Sequence, residues 1–391
     1  MLQAPENKAL AQGTIAFAVA FAIWGLLAGL MPILKKELAL TAMQASLLVA
    51  VPVVLGSLGR IPIGILADKY GGRKVFSAIL FFIVLPAIAL GFASNYKEFL
   101  AVALFLGIAG TSFASGVTFV SRWFPAQKQG TALGIYGAGN IGQSLAVFGA
   151  PALAGIFGLK WAVWTFAGIA LFYAIYFSIK ARDAEWTLPP KGFLQSMRIF
   201  FKEGMCWVLS LMYFQTFGGF VALSIYMPML LRELFGLTPA DAGFRTAMFV
   251  VLATAARPFG GWLSDKFDSG KVLSLTFAGL IPCALMMTSP DFGYFTIGAL
   301  GAAVLVGLGN GGVFKLVPEF FPKETGTVTG LVGAAGGMGG FFPPLVLGYC
   351  RDHMGGYGCG FYLLAGFSSL CLVVLYLAII KRRRNAVAIA G

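Results

Sequence analysis

Arg60 lies in the apolar run 41–67 and Arg257 in the apolar run 240–264, each eight residues before an aspartate, Asp68 and Asp265, that marks a membrane edge. In a helix that spacing puts each guanidinium about 12 Å inside the apolar layer. A charge at that depth costs at least roughly 2.5–3.5 kcal/mol, and is tolerated where it faces a bundle interior or a watery path with a partner. All 15 acidic residues fall in predicted loops or near helix ends, so no carboxylate is placed to be that partner. The pattern asks for a counter-charge that arrives and leaves, which is an anionic substrate. Guanidinium groups present several donors in a planar fork, and that fork suits a flat oxyanion.

Elements able to hold two such charges must span a membrane. With 59% hydrophobic residues, 11% charged residues and 52 glycines, the chain reads as an all-α polytopic membrane protein. Helices of about 20 residues or more give twelve spans, near 10–34, 41–67, 73–94, 98–121, 129–157, 161–180, 205–231, 240–265, 271–289, 292–319, 326–350 and 358–380. The first follows a short polar leader without a convincing cleavage site and is expected to be a retained helix. The net charge of +13 does not mark a nucleic-acid binder, because most of the 28 lysines and arginines sort to one side of the predicted membrane. The positive-inside rule then places both termini in the cytoplasm of a cell whose inner membrane holds the chain. Cys206, Cys283, Cys350, Cys359 and Cys371 are scattered without metal-ligand or disulfide spacing, and His353 is the lone histidine. No nucleophile, base and orienter set is present; no enzyme, cofactor or metal site is expected.

Sliding the sequence on itself by 196 or 197 residues brings separate segments into register. Met31-Pro32 through Glu37-Leu38 meets Met227-Pro228 through Glu233-Leu234, and Leu40-Thr41 meets Leu237-Thr238. Arg60, Gly64, Leu66, Asp68, Lys69, Lys74 and Val75 meet Arg257, Gly261, Leu263, Asp265, Lys266, Lys271 and Val272, and Ala138-Gly139 meets Ala335-Gly336. Two six-helix pseudo-repeats follow: residues 1–180, a basic cytoplasmic linker over 181–204 containing Pro189-Pro190, and residues 205–391. A repeat in one orientation implies an axis along the membrane normal and a site at the repeat interface near the midplane. Gly59-Arg-Ile-Pro-Ile-Gly64-Ile-Leu-Ala-Asp68-Lys-Tyr-Gly71-Gly72-Arg73-Lys74 resembles the signature of the major facilitator superfamily between its second and third helices, and a degenerate copy lies between the eighth and ninth. Asp68, Arg73, Lys74 and Asp265 are the expected cytoplasmic latch, stabilising one of two access states.

The fifth span contains Gly134-Ile-Tyr-Gly137-Ala-Gly139-Asn140-Ile-Gly142-Gln143. The eleventh contains Gly330-Leu-Val-Gly333-Ala-Ala-Gly336-Gly337-Met-Gly339-Gly340. Each glycine weakens a helix by up to about 1 kcal/mol relative to alanine, whereas small residues in a membrane let helices approach closely. Gly137, Gly139, Gly142, Gly333, Gly336, Gly337 and Gly339 are therefore the expected gating positions. These two runs resemble the nitrate signatures of the nitrate/nitrite porter family. Similar stretches are Gly110-Thr-Ser-Phe113 running to Phe124-Pro125, Tyr213-Phe-Gln-Thr-Phe217-Gly218, and Gly307-Leu-Gly-Asn310-Gly311-Gly312-Val-Phe-Lys315. The resemblance implies that Arg60 and Arg257 bind the anion's oxygens, Asn140 adds an amide hydrogen bond, Phe113 and Phe217 sandwich the planar ion, and Tyr213 lines its site. Two departures stand out: Gly337 occupies the place that the repeat gives to Asn140, and Lys315, aligned with Thr118, either guides an anion or snorkels to headgroups.

The expected protein is thus a twelve-helix secondary transporter of nitrate and/or nitrite, a functional monomer in lipid, working by alternating access and exchanging one anion for the other. Alternatives kept open are proton-coupled nitrate symport, exchange of another small anion such as an organic phosphate or carboxylate, and a nitrate sensor that does not transport. Phosphate would favour further basic residues or a histidine in the cavity. A sensor would more often carry an attached regulatory domain.

Overall fold

The computed structural model describes residues 4–185, 192–354 and 356–380. Pro189-Pro190 and Lys191 of the expected linker lie outside the described residues. The described residues form helices and no strand. Ten of those helices are long and apolar enough to cross a bilayer: Pro5–Glu37, Leu47–Tyr70, Gly72–Leu90, Tyr96–Ser121, Ala126–Phe157, Leu159–Lys180, Gly204–Phe235, Ser269–Met286, Phe292–Phe320 and Gly358–Ile380. The eighth and eleventh spans complete the twelve. Pro239–Phe267 carries Asp241, Arg245, Arg257, Asp265 and Lys266, which lower its hydropathy. The eleventh divides into Thr325–Gly339 and Phe342–Met354, and its first part is built mainly from glycine, threonine and alanine.

The repeat is visible in local chemistry. Thr41 caps the second span by accepting from the Gln44 N–H (3.2 Å), and Thr238 caps the eighth by accepting from the Asp241 N–H (3.2 Å). Between the second and third spans Gly71 has φ +95°, and its counterpart between the eighth and ninth, Asp268, has φ +87°. A non-glycine residue is strained there, and the Asp268 carboxylate compensates by accepting from the Gly270 N–H (2.8 Å) at the start of the ninth span. Near both arginines the helix ladder is weakened by a proline that has no N–H to donate, Pro62 and Pro258.

By contact the chain forms two compact units. One comprises Met1–Pro125, Ile135–Met197 and Phe321–Ala334; the other comprises Ala126–Gly134, Arg198–Phe320 and Ala335–Gly391. Each unit therefore contains the first turns of a helix whose remainder belongs to the other. In the first unit Asp68 accepts from the backbone N–H groups of Gly326 (3.0 Å) and Thr327 (2.7 Å), from the Thr327 hydroxyl (2.9 Å) and from Arg122 (3.3 Å). In the second, Asp265 accepts from the N–H groups of Gly130 (2.9 Å) and Thr131 (2.6 Å), from the Thr131 hydroxyl (2.7 Å) and from Lys315 (3.0 Å). The first N–H groups of a helix have no partner within it and carry its positive dipole end, so each carboxylate caps a helix from outside. Glycine lets the backbones meet: a methyl at Gly64 would overlap the Gly326 carbonyl, and one at Gly261 would overlap the Gly130 carbonyl.

Arg73, expected in this latch, instead holds the end of the sixth span. Its N–H donates to Asp183 (2.9 Å) and its guanidinium to the Ser178 carbonyl (2.9 Å). Burial pushes the Asp183 carboxyl up from its ordinary value, opposed by the Arg73 N–H and the charges of Arg122, Arg73 and Lys74. Lys74 itself is exposed.

Asp68→Asn and Asp265→Asn should each lower Tm, because removing one member of a buried ion pair costs roughly 3–5 kcal/mol. Asp291→Asn, whose carboxylate accepts from Tyr294 on an exposed turn, should change Tm little; three equal melting curves in detergent would refute the capping role. Within the fifth span, a methyl at Gly142 would overlap the Ala18 backbone whereas one at Gly155 meets nothing within 4 Å. Gly142→Ala should therefore destabilise by about 1–3 kcal/mol, and Gly155→Ala should stabilise by up to about 1 kcal/mol. The comparison is a pair of thermal unfolding measurements, and equal shifts would sink the packing argument.

Candidate functional site

In the first unit Arg60 is 2% exposed. Its Nε donates to the Gly110 carbonyl (2.9 Å) and its Nη1 to the Gly333 carbonyl (2.7 Å). Gly110 belongs to a 3₁₀ stretch, Gly107–Thr111, that interrupts the fourth span, and such stretches have poorer internal hydrogen bonding. Phe113, one residue past that stretch's C-cap, lies beneath the charge with its ring centroid 5.6 Å from the Arg60 Cζ. Gly333 lies against this side chain, and a Cβ there would approach the Arg60 Cδ to 3.0 Å. A hydrogen bond to a charged group is worth roughly 1.5–3 kcal/mol. Two of them fix the guanidinium's plane, and neutral carbonyls leave its positive charge in place.

The second unit holds Arg257, also 2% exposed. Here the partner is a side chain: Nη2 donates to the Tyr213 hydroxyl (3.1 Å), and the Phe217 centroid is 5.9 Å from the Arg257 Cζ. Tyr213 and Phe217 stack on each other with centroids 5.0 Å apart and planes 5° apart. Phe217 lies in a π-helical turn, Phe214–Gly218, directly after Tyr213; turns of this kind recur at functional sites. Gly336 faces the Tyr213 ring, which a methyl would overlap, and Gly339 packs on Gly218. Gly337 is buried in the same helix.

Asn140 ends a short 3₁₀ stretch in the fifth span, after Gly137 closes the preceding α-helical segment. It is 7% exposed and its Oδ1 makes no hydrogen bond. Gly139 and Gly142 bring that helix against the first span, at Phe17 and Ala18. Each arginine is thus joined to one of the two phenylalanines, Arg60 to Phe113 and Arg257 to Phe217. Lys315 is placed in the Asp265 ion pair and also donates to the Ala126 carbonyl.

Several contributors were not singled out by sequence reasoning. Tyr136 is fully buried, donates to the Ser112 carbonyl (3.2 Å) and stacks on Phe113 at 5.8 Å; Gly116 makes room for its hydroxyl. Phe17 also packs on Phe113 (5.4 Å). By the repeat Phe17 corresponds to Tyr213, and without a hydroxyl it cannot serve an arginine as Tyr213 does. That offset comparison was the available signal for Phe17; Tyr136 aligns with Gly333 and had none. Phe314 contacts Tyr213 edge-on at 4.6 Å. Arg122, Thr131 and Thr327 complete the capping pairs, and only Arg122 lay in a stretch marked by resemblance.

Comparison with known proteins agrees with this architecture. The Major Facilitator Superfamily profile matches residues 13–318 and again 209–390. The chain is 38% identical over 372 residues to a nitrite extrusion protein of Bacillus subtilis, covering 94% of each. It is 38% identical over 363 residues to a probable nitrate transporter, NarT, of Staphylococcus aureus, covering 93% of each. Among solved structures, the human organic anion transporter MFSD10 superposes with a TM-score of 0.79 at 16% identity, over 95% of this chain and 100% of that one. FucP in its outward conformation gives 0.77 at 17% identity, over 94% and 99%. A repeated six-helix unit with matched aspartate caps, full-length relatives and the same twelve-helix fold together make this chain a member of the Major Facilitator Superfamily.

Proposed function

We propose that this chain transports nitrate and nitrite across the cytoplasmic membrane by alternating access, and that Arg60, Arg257, Asn140, Tyr213, Phe113 and Phe217 bind the anion. The observation that carries this reading is the pair of buried guanidinium groups, each oriented by neutral oxygens and each beside a phenylalanine ring. It is supported by relatives named for nitrite extrusion and nitrate transport. Nitrate is flat, monovalent and weakly hydrated. A guanidinium fork can donate to it in plane, and a delocalised planar ion tolerates an aromatic face better than a tetrahedral one does. Phosphate would have to shed a far stronger hydration shell.

Transport follows from differential binding. A ligand shifts a conformational equilibrium only by as much as it prefers one state. The Arg60 bond to the Gly333 carbonyl supplies such a difference: an anion that takes Nη1 frees the eleventh helix at a glycine. The Asp68 and Asp265 caps would then open and close at the cytoplasmic ends, with both termini on that side. Exchange of nitrate for nitrite fits a site whose assigned side chains are arginine, asparagine, phenylalanine and tyrosine, with no carboxylate or histidine assigned to carry a proton.

Arg60→Lys and Arg257→Lys should each cut nitrate flux at least roughly ten-fold, the loss of one charge-assisted hydrogen bond, while membrane insertion is kept. Near-normal uptake by either would remove that residue from the site. In the same proteoliposomes nitrite should compete with nitrate, and phosphate and sulfate should not. Exchange is tested with vesicles loaded with nitrite or left empty, given external nitrate and an imposed pH gradient. Nitrite inside should accelerate nitrate entry; proton-driven entry into empty vesicles, without that acceleration, rules out antiport.

A further inference from the structure

The tenth span carries a buried polar residue to which the proposed site gives no part. Asn310 is 3% exposed and its Oδ1 makes no hydrogen bond. An unpaired buried amide is costly and calls for an explanation. Asn310 stands in the run Gly307-Leu308-Gly309-Asn310-Gly311-Gly312, whose glycines press this helix onto the eighth. A methyl at Gly307 would overlap the Ala253 carbonyl, and a Cβ at Gly311 would lie 2.5 Å from the carbonyl oxygen of Arg257. Asn310 is therefore next in sequence to the point where the tenth helix meets the backbone of Arg257. Phe314, one turn further along, shares its helix face and packs on Tyr213, the hydroxyl partner of Arg257. On its helix Asn310 is thus followed by the contact with the Arg257 backbone at Gly311 and, one turn on, by the contact of Phe314 with Tyr213.

The repeat gives this position a meaning. At an offset of 197 residues Asn310 corresponds to Phe113, the ring beside Arg60. Conversely, Asn140 of the fifth helix corresponds to Gly337 of the eleventh. Each six-helix repeat thus supplies one buried amide whose oxygen makes no hydrogen bond, from a different helix in each case. A half-turn about the terminal torsion exchanges the oxygen and NH₂ ends of such an amide without changing its shape.

We propose that Asn310 is a further anion-binding residue, its NH₂ donating to an oxygen of the small monovalent oxyanion held by Arg257. This rests on the function proposed above and assigns the second repeat an amide matching Asn140. The test is nitrate titration calorimetry on the purified full-length protein, with folding followed by size exclusion and Tm. N310L keeps the branching at Cγ and removes the amide. It should weaken nitrate binding roughly ten-fold while Tm is unchanged or raised, a combination that a packing role would not produce. N310D keeps the shape and adds a negative charge, and should abolish binding at pH 7. If N310L is not recovered folded, N310S takes its place with the same expected loss of affinity. Wild-type affinity in the folded variants overturns the Asn310 assignment and leaves nitrate binding by the protein intact. A wild-type protein that does not bind nitrate overturns both.

Discussion

Burying two guanidinium groups in an apolar bundle is the constraint around which this protein is organised. Neither charge can be left to hydrocarbon, where an arginine costs at least roughly 2.5–3.5 kcal/mol. The chain meets this by local departures from regular helix. A 3₁₀ stretch holds the carbonyl that receives the Arg60 Nε, and a π-turn beside Tyr213 carries the ring next to Arg257. Irregular backbone at membrane depth is tolerable only where it is enclosed in protein or lines a cavity, and here it is enclosed with the charge it serves.

Glycine is the second half of that solution. At their contacts the fifth and eleventh spans present bare backbone instead of interlocked large side chains. Gly64 with Gly326, Gly261 with Gly130, and Gly218 with Gly339 are places where two main chains meet without a Cβ between them. Those contacts carry little side-chain interdigitation. The specific attraction is concentrated in two carboxylates, Asp68 and Asp265, each receiving three hydrogen bonds from the first turn of one helix and a fourth from a basic side chain. Such interactions are strong while engaged, and water can replace them when they are parted.

The two repeats share this architecture but not their polar inventory. Arg60 is oriented by carbonyls and Arg257 by a phenol; in the repeat alignment Phe113 corresponds to Asn310, and Asn140 to Gly337.

Much of this was legible in the sequence. Hydropathy and length dictate membrane spans, since no other arrangement satisfies so apolar a chain; the duplicated Arg60/Asp68 and Arg257/Asp265 spacing exposes the repeat; and the depth of the arginines singles them out as the charges the bundle must accommodate. Tertiary structure alone decided the pairings. No spacing rule tells that Asp68 caps a helix beginning more than 250 residues later, that Arg73 turns to the sixth span, or that Lys315 is tied to Asp265. Tyr136 and Asn310 gain their significance the same way. Hydrophobic burial depends on composition summed along a segment and so can be read locally, whereas a hydrogen bond depends on the placement of two groups to within about half an ångström, which only the folded chain provides.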